Sequence, residues 1–121
     1  MENKVFSVYN DESGKAEVKI DTIAKIAALA ATEVEGVDSV FNDITSEVMS
    51  VFSGKKLESG VEVVQDGESL DIFIMLVLKI GYNIREVCHN TQKKIKTEIE
   101  DMVGINVGEV NIRVVNIKAD K

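Results

Sequence analysis

The sequence predicts an α+β fold: a small mixed sheet of four to five strands with two long helices packed on one face. Three observations predict it. Two segments, Ile23 to Val34 and Ile84 to Val103, repeat apolar residues at helical spacing. A long apolar segment, Leu70–Ile80, follows an Asp-Gly pair and reads as the second arm of a hairpin. The order strand, helix, strand, short helix, hairpin, long helix, strand suits helices layered on one side of a sheet.

Taken in order, residues 15–20 (KAEVKI) alternate polar and apolar and predict a strand. Val5–Tyr9 supplies a short partner, with Asp11–Gly14 as the turn. Asp21 is placed to cap the first helix, whose stripe is Ile23, Ile26, Ala27, Ala30 and Val34. Gly36 suits the left-handed residue that ends it, and Val37–Phe41 reads as the next strand. Ile44, Val48, Val51 and Phe52 fall on one helical face, which predicts a short extra helix near 44–52. Gly60–Gln65 and Leu70–Ile80 flank the turn at Asp66-Gly67. Asn83 with Glu86 resembles a capping box. The helix behind it carries Ile84, Val87, Cys88, Thr91, Ile95, Ile99, Met102 and Val103 on one side and stops at Gly104. Val107–Ile117 is the last strand, interrupted near Gly108.

With 121 residues, of which 45% are hydrophobic, residues 1–121 make a single domain with an ordinary core. Aromatics are 5% and Trp is absent, so that core is aliphatic. One Cys excludes an internal disulfide and any Cys-based zinc site, and fits a reducing, cytoplasmic compartment. The first ten residues lack the basic and apolar regions of a signal peptide. The longest apolar run, Ile72–Leu78, is far short of the roughly 20 residues a membrane-spanning helix needs. Fourteen basic against 21 acidic residues give a net charge of −7, which opposes nucleic-acid binding and unaided docking on anionic lipid.

Chemistry-bearing residues are few. Adjacent Cys88 and His89 suggest a thiol–imidazole dyad, but neighbours on a helix point about 100° apart. Cys88 therefore reads as a core filler and His89 as a solvated edge residue. One His and one Cys make no closed metal site, the acidic residues form no calcium loop, and no phosphate-cradling glycine motif occurs. No cofactor is expected. Lys93, Lys94 and Lys96 form the one basic cluster. It reads as a solvated helix face with i,i+4 pairs, or more sharply as a docking patch for an acidic partner.

The central strand is the most informative segment. Leu70, Ile72, Ile74, Leu76, Leu78 and Ile80 share the side expected to face the helices. The opposite side carries Asp71, Phe73, Met75, Val77 and Lys79, apolar at its middle three positions where a solvated face is polar. Val115 and Ile117 on the last strand, and Val64 on the hairpin, are expected to join that second side. Either the 44–52 helix covers this face, or Phe73, Met75, Val77, Val115 and Ile117 form a contact surface for another subunit or protein. Contact is the favoured expectation, because one short helix covers little of a four-stranded sheet.

The residues also resemble a known family. IAALAATEVEGV (Ile26–Val37), Gly60-Val61, KIGYNIREV (Lys79–Val87), Gln92, Ile95, Lys96 and MVGINVGEVNIRVV (Met102–Val115) appear in that order. Together they resemble the alkaline-shock, or envelope stress response, proteins of Gram-positive bacteria. The resemblance implies a small non-enzymatic cytoplasmic protein linked to cell-envelope homeostasis and stress tolerance. Some members of that family self-assemble and gather beneath the membrane through a membrane-anchored partner. This chain, without long charged tails, resembles the shorter, housekeeping-type members. For these the resemblance implies self-association as a homo-oligomer or docking to an envelope-linked partner. It supplies no catalytic residue. Rival readings are a nucleic-acid-binding or small-ligand-binding α+β module, an enzyme, and weak lipid contact by residues 44–52.

Overall fold

The computed structural model describes residues 5–41 and 60–119. In chain order they form β1 (Val5–Asp11), β2 (Gly14–Lys19), α1 (Ile20–Thr32), β3 (Val37–Val40), β4 (Val61–Asp66), β5 (Ser69–Lys79), α2 (Ile84–Val103) and β6 (Asn106–Lys118). The short helix expected near 44–52 lies outside the described residues.

β5 is the axis of a four-stranded mixed sheet. β6 runs parallel along one edge, reached through α2 as a β–α–β crossover. The other edge is shared by two antiparallel strands. β4 pairs with the first half of β5, from Asp66↔Ser69 to Val61↔Ile74, and β3 pairs with Leu76–Leu78. The handover falls at Met75, which accepts a hydrogen bond from the Phe41 N–H (2.9 Å) and donates one to the Gly60 carbonyl (3.2 Å). β1 and β2 form a separate antiparallel hairpin, so the strands divide four and two rather than joining one sheet.

Both helices cover the same face of the larger sheet. α1 packs on β3 and β4, α2 packs on β6, and the helices touch each other. Leu70, Ile72, Ile74, Leu76 and Leu78 are at most 1% exposed beneath them. Ile80 is 58% exposed, because the strand ends before it. α1 buries Ile23 with four alanines, Ala24, Ala27, Ala30 and Ala31, small side chains that let the helix sit close to the sheet. Its N-cap lies two residues earlier than the one expected at Asp21. Lys19 is the N-cap, and Asp21 lies in the first turn, where the positive end of the helix favours a carboxylate.

α2 follows its predicted boundaries. The Asn83 side chain accepts a hydrogen bond from the Glu86 N–H at 2.9 Å, and Gly104 closes the helix in the left-handed region. Its buried row is narrower than expected: Val87, Thr91, Ile95, Ile99 and Val103. Ile84 and Met102 are 49% and 66% exposed, and Cys88 is half-buried. Thr91 is tolerated inside because its hydroxyl donates to the Val87 carbonyl at 2.7 Å. The hairpin loop is Gly67-Glu68, one residue later than the expected Asp66-Gly67.

Candidate functional site

The register of the sheet fixes which side chains share its second face. Glu62 lies opposite Phe73 and Val64 opposite Asp71 on β4, while Asn111 lies opposite Phe73 and Arg113 opposite Met75 on β6. Paired residues on adjacent strands project to the same side. The apolar row of β5 is therefore flanked mostly by polar residues on both edges. Val64 joins it as expected, at 38% exposure.

Ile117 does not join it. The β5–β6 register shifts between Leu76 and Val77, so that Val114 pairs with Leu76, Asn116 with Val77 and Ile117 with Leu78. Val115 is the extra residue of this bulge, and the shift returns Ile117 to the helix side. Strict alternation along the sequence carries no sign of such an insertion.

Exposure separates the predicted contact residues further. Met75 is 2% and Val77 8% exposed within the single chain, and Phe73 is half-buried. Neither Met75 nor Val77 belongs to the helix-side core. They are not open contact surface, contrary to expectation. Val115 and Ile117 remain exposed, at 37% and 38%.

Three further exposed apolar residues were missed by the sequence reading. Ile80, Tyr82 and Ile84, on the turn from β5 into α2, are 58%, 41% and 49% exposed. The Ile80 N–H donates to the Lys118 carbonyl at 2.9 Å, tying this turn to the end of β6. Exposed apolar residues thus lie on the β5–α2 turn (Ile80, Tyr82, Ile84) and near the end of β6 (Val115, Ile117), at the same end of the larger sheet. The signal in the sequence was the stretch Ile80-Gly81-Tyr82-Asn83-Ile84, whose apolar residues fall where a strand ends and a helix cap begins.

The lysine cluster is largely engaged internally. Lys94 lies 3.2 Å from both Glu33 and Glu98, and these partners raise its pKa, the Glu33 hydrogen bond most. Lys96 pairs with Glu100 at 3.0 Å and donates to the Val107 carbonyl at 2.7 Å. Lys93 is exposed and lines a shallow groove of about 420 Å³ with His89, Gln92, Lys96, Glu109 and Asn111. The i,i+4 reading of this face therefore describes Lys94 and Lys96.

Cys88 is half-buried, and burial raises the pKa of its thiol, which disfavours the thiolate a nucleophile needs. His89 is exposed on the groove. Among the described residues no three His, Cys, Asp or Glu side chains gather as a metal-binding group, and no helix is long and apolar enough to cross a membrane.

Comparison with known proteins agrees with this architecture. Two variants of the MamM CTD share the fold. One, in a zinc form, has a TM-score of 0.52 at 12% identity over 84% of this chain and 86% of that one. The other has a TM-score of 0.54 at 10% identity over 84% and 97%. At such identities the likeness concerns the fold alone. In sequence, the uncharacterized Bacillus subtilis protein YloU is 29% identical over 107 residues, spanning 87% of this chain and 89% of the relative. YqhY of the same organism is 30% identical over 109 residues, spanning 88% and 79%. Spy1614 of Streptococcus pyogenes is 29% identical over 111 residues, spanning 90% and 92%. Residues 8–119, from within β1 to beyond the end of β6, match the model of the ASP23 family, described as having a cell envelope-related function, which agrees with the alkaline-shock resemblance, and the chain belongs to that family.

Proposed function

We propose that the chain is a non-enzymatic interaction module that self-associates, and docks to a protein held at the cell envelope, through the apolar end of its larger sheet. The observation that carries this reading is the exposure, at one end of the larger sheet, of Ile80, Tyr82, Ile84, Val115 and Ile117, each between 37% and 58% exposed. Covering a half-exposed isoleucine contributes about 1 kcal/mol at the usual value per area, before the cost of association. Five such residues make an anchor that a rim of polar groups can orient. A soluble scaffold of this kind sits beneath the membrane only through its partner, which fits the envelope-related function of the family.

Sedimentation equilibrium of the full chain tests the reading. The wild type is expected to associate, and Ile84→Glu with Ile117→Lys to weaken association at least about tenfold, equivalent to about 1.4 kcal/mol. Both positions are exposed, so circular dichroism and the thermal midpoint should change little. A wild type that stays monomeric at the highest attainable concentration removes the self-association reading.

A further inference from the structure

The outer edge of β6 is occupied by side chains of α2. The Val107 N–H donates to a Glu100 carboxylate oxygen at 3.0 Å, and the Val107 carbonyl accepts from Lys96 Nζ at 2.7 Å. Lys96 and Glu100 are themselves paired at 3.0 Å. One residue of a neighbouring strand would offer the same acceptor and donor to Val107. Three residues along, the Val110 carbonyl accepts from Gln92 Nε2 at 2.9 Å. Gln92, Lys96 and Glu100 recur every four residues, so one stripe of α2 satisfies this edge. Among the described residues β6 pairs with no strand but β5.

We propose that Gln92, Lys96 and Glu100 guard a strand-addition site on β6, and that the occupant this site fits is β6 of a second copy, paired antiparallel about Ile112. Unpaired edges recruit strands, and proteins blunt them with charge, bulges or covering groups. Here the guard covers Val107–Val110, and register shifts lie on either side of the straight run Val110–Val114. That run is self-complementary. About a two-fold at Ile112, Ile112 faces its own copy, Val110 faces Val114, and Asn111 faces Arg113. Val110, Ile112 and Val114 are all on the helix side, opposite Ile72, Ile74 and Leu76, so apolar meets apolar and no like charges oppose. The Val110 carbonyl already points outward to Gln92, and Ile112 and Val114 follow at two-residue steps on the same edge. This surface is distinct from the apolar end proposed above and stands or falls without it.

The test removes the guard and measures association by sedimentation equilibrium. Gln92→Ala, Lys96→Ala and Glu100→Ala together should tighten self-association at least about tenfold over wild type and slow amide exchange at Ile112 and Val114. Adding Asn111→Arg sets arginine opposite arginine twice and should reverse the gain. Glu100→Lys, which removes the acceptor and repels Lys96 with one substitution, is the second variant should the triple one fail to fold. A folded guard variant with wild-type association, or a gain that Asn111→Arg leaves intact, overturns the proposal.

Discussion

Gly36 sits where α1 hands the chain to β3, with φ at 100° and its carbonyl held by the Lys79 N–H at 2.8 Å. A Cβ there would meet Val87 Cγ2 at 2.7 Å and the Tyr82 ring at 3.1 Å. Gly36→Ala therefore combines backbone strain with overpacking and should destabilise by about 2–4 kcal/mol in urea unfolding. Gly67 is the control. Its φ is 64°, but nothing lies within 4 Å of its missing Cβ, so Gly67→Ala should cost only about 1 kcal/mol. Equal losses at the two sites would show that the Val87 and Tyr82 contacts do not matter. Both glycines stood out in the sequence as punctuation, yet only the structure separates a crowded turn from an open one. The same holds for Ile84 and Met102, which lie near the apolar stripe by spacing but beyond the ground that β6 and α1 cover. Helical periodicity gives the direction of a side chain and says nothing of how far the opposing surface extends.

At the scale of elements, boundaries were legible wherever one residue dictates them: Asn83 before α2, Gly104 after it, and Gly67 in the hairpin loop. The bulge at Val115 was not, because an inserted residue changes facing without changing composition, and Ile117 was misassigned for that reason. Pairing between α2 and the β6 edge was hidden too, since Glu100 and Val107 lie on different elements. That pairing has a pH signature. The Val107 N–H and then Lys96 hold the Glu100 carboxyl below its ordinary pKa, outweighing desolvation. A carboxyl lowered in the folded state contributes stability above the pKa of the unfolded chain and loses it as pH falls through the folded value. The urea midpoint should therefore drop on acidification across and below the ordinary glutamate range, and drop less in Glu100→Gln. Identical pH profiles for the two proteins would mean that the carboxylate adds nothing to this junction.

For the whole molecule, charge decides between the apolar end of the sheet and the lysine face of α2 as surfaces for assembly. The chain carries a net charge of −7, so two copies repel as they approach. Contact through Ile80, Tyr82, Ile84, Val115 and Ile117 gains nothing from that field and is opposed by it. Contact between Lys93, Lys94 or Lys96 and an acidic region of another copy would instead depend on attraction. Added salt shortens the screening length from about 10 Å at 0.1 M to about 3 Å at 1 M, weakening both effects. Self-association through the apolar end should thus strengthen as salt is raised, and docking through the lysines should weaken. Because Lys94 and Lys96 are already paired with Glu33, Glu98 and Glu100, the structure leaves little attraction to lose. Sedimentation equilibrium at low and high salt is expected to show a smaller dissociation constant at high salt, with Ile84→Glu abolishing the gain. A dissociation constant that rises with salt would move the interface from the end of the sheet to the exposed face of α2.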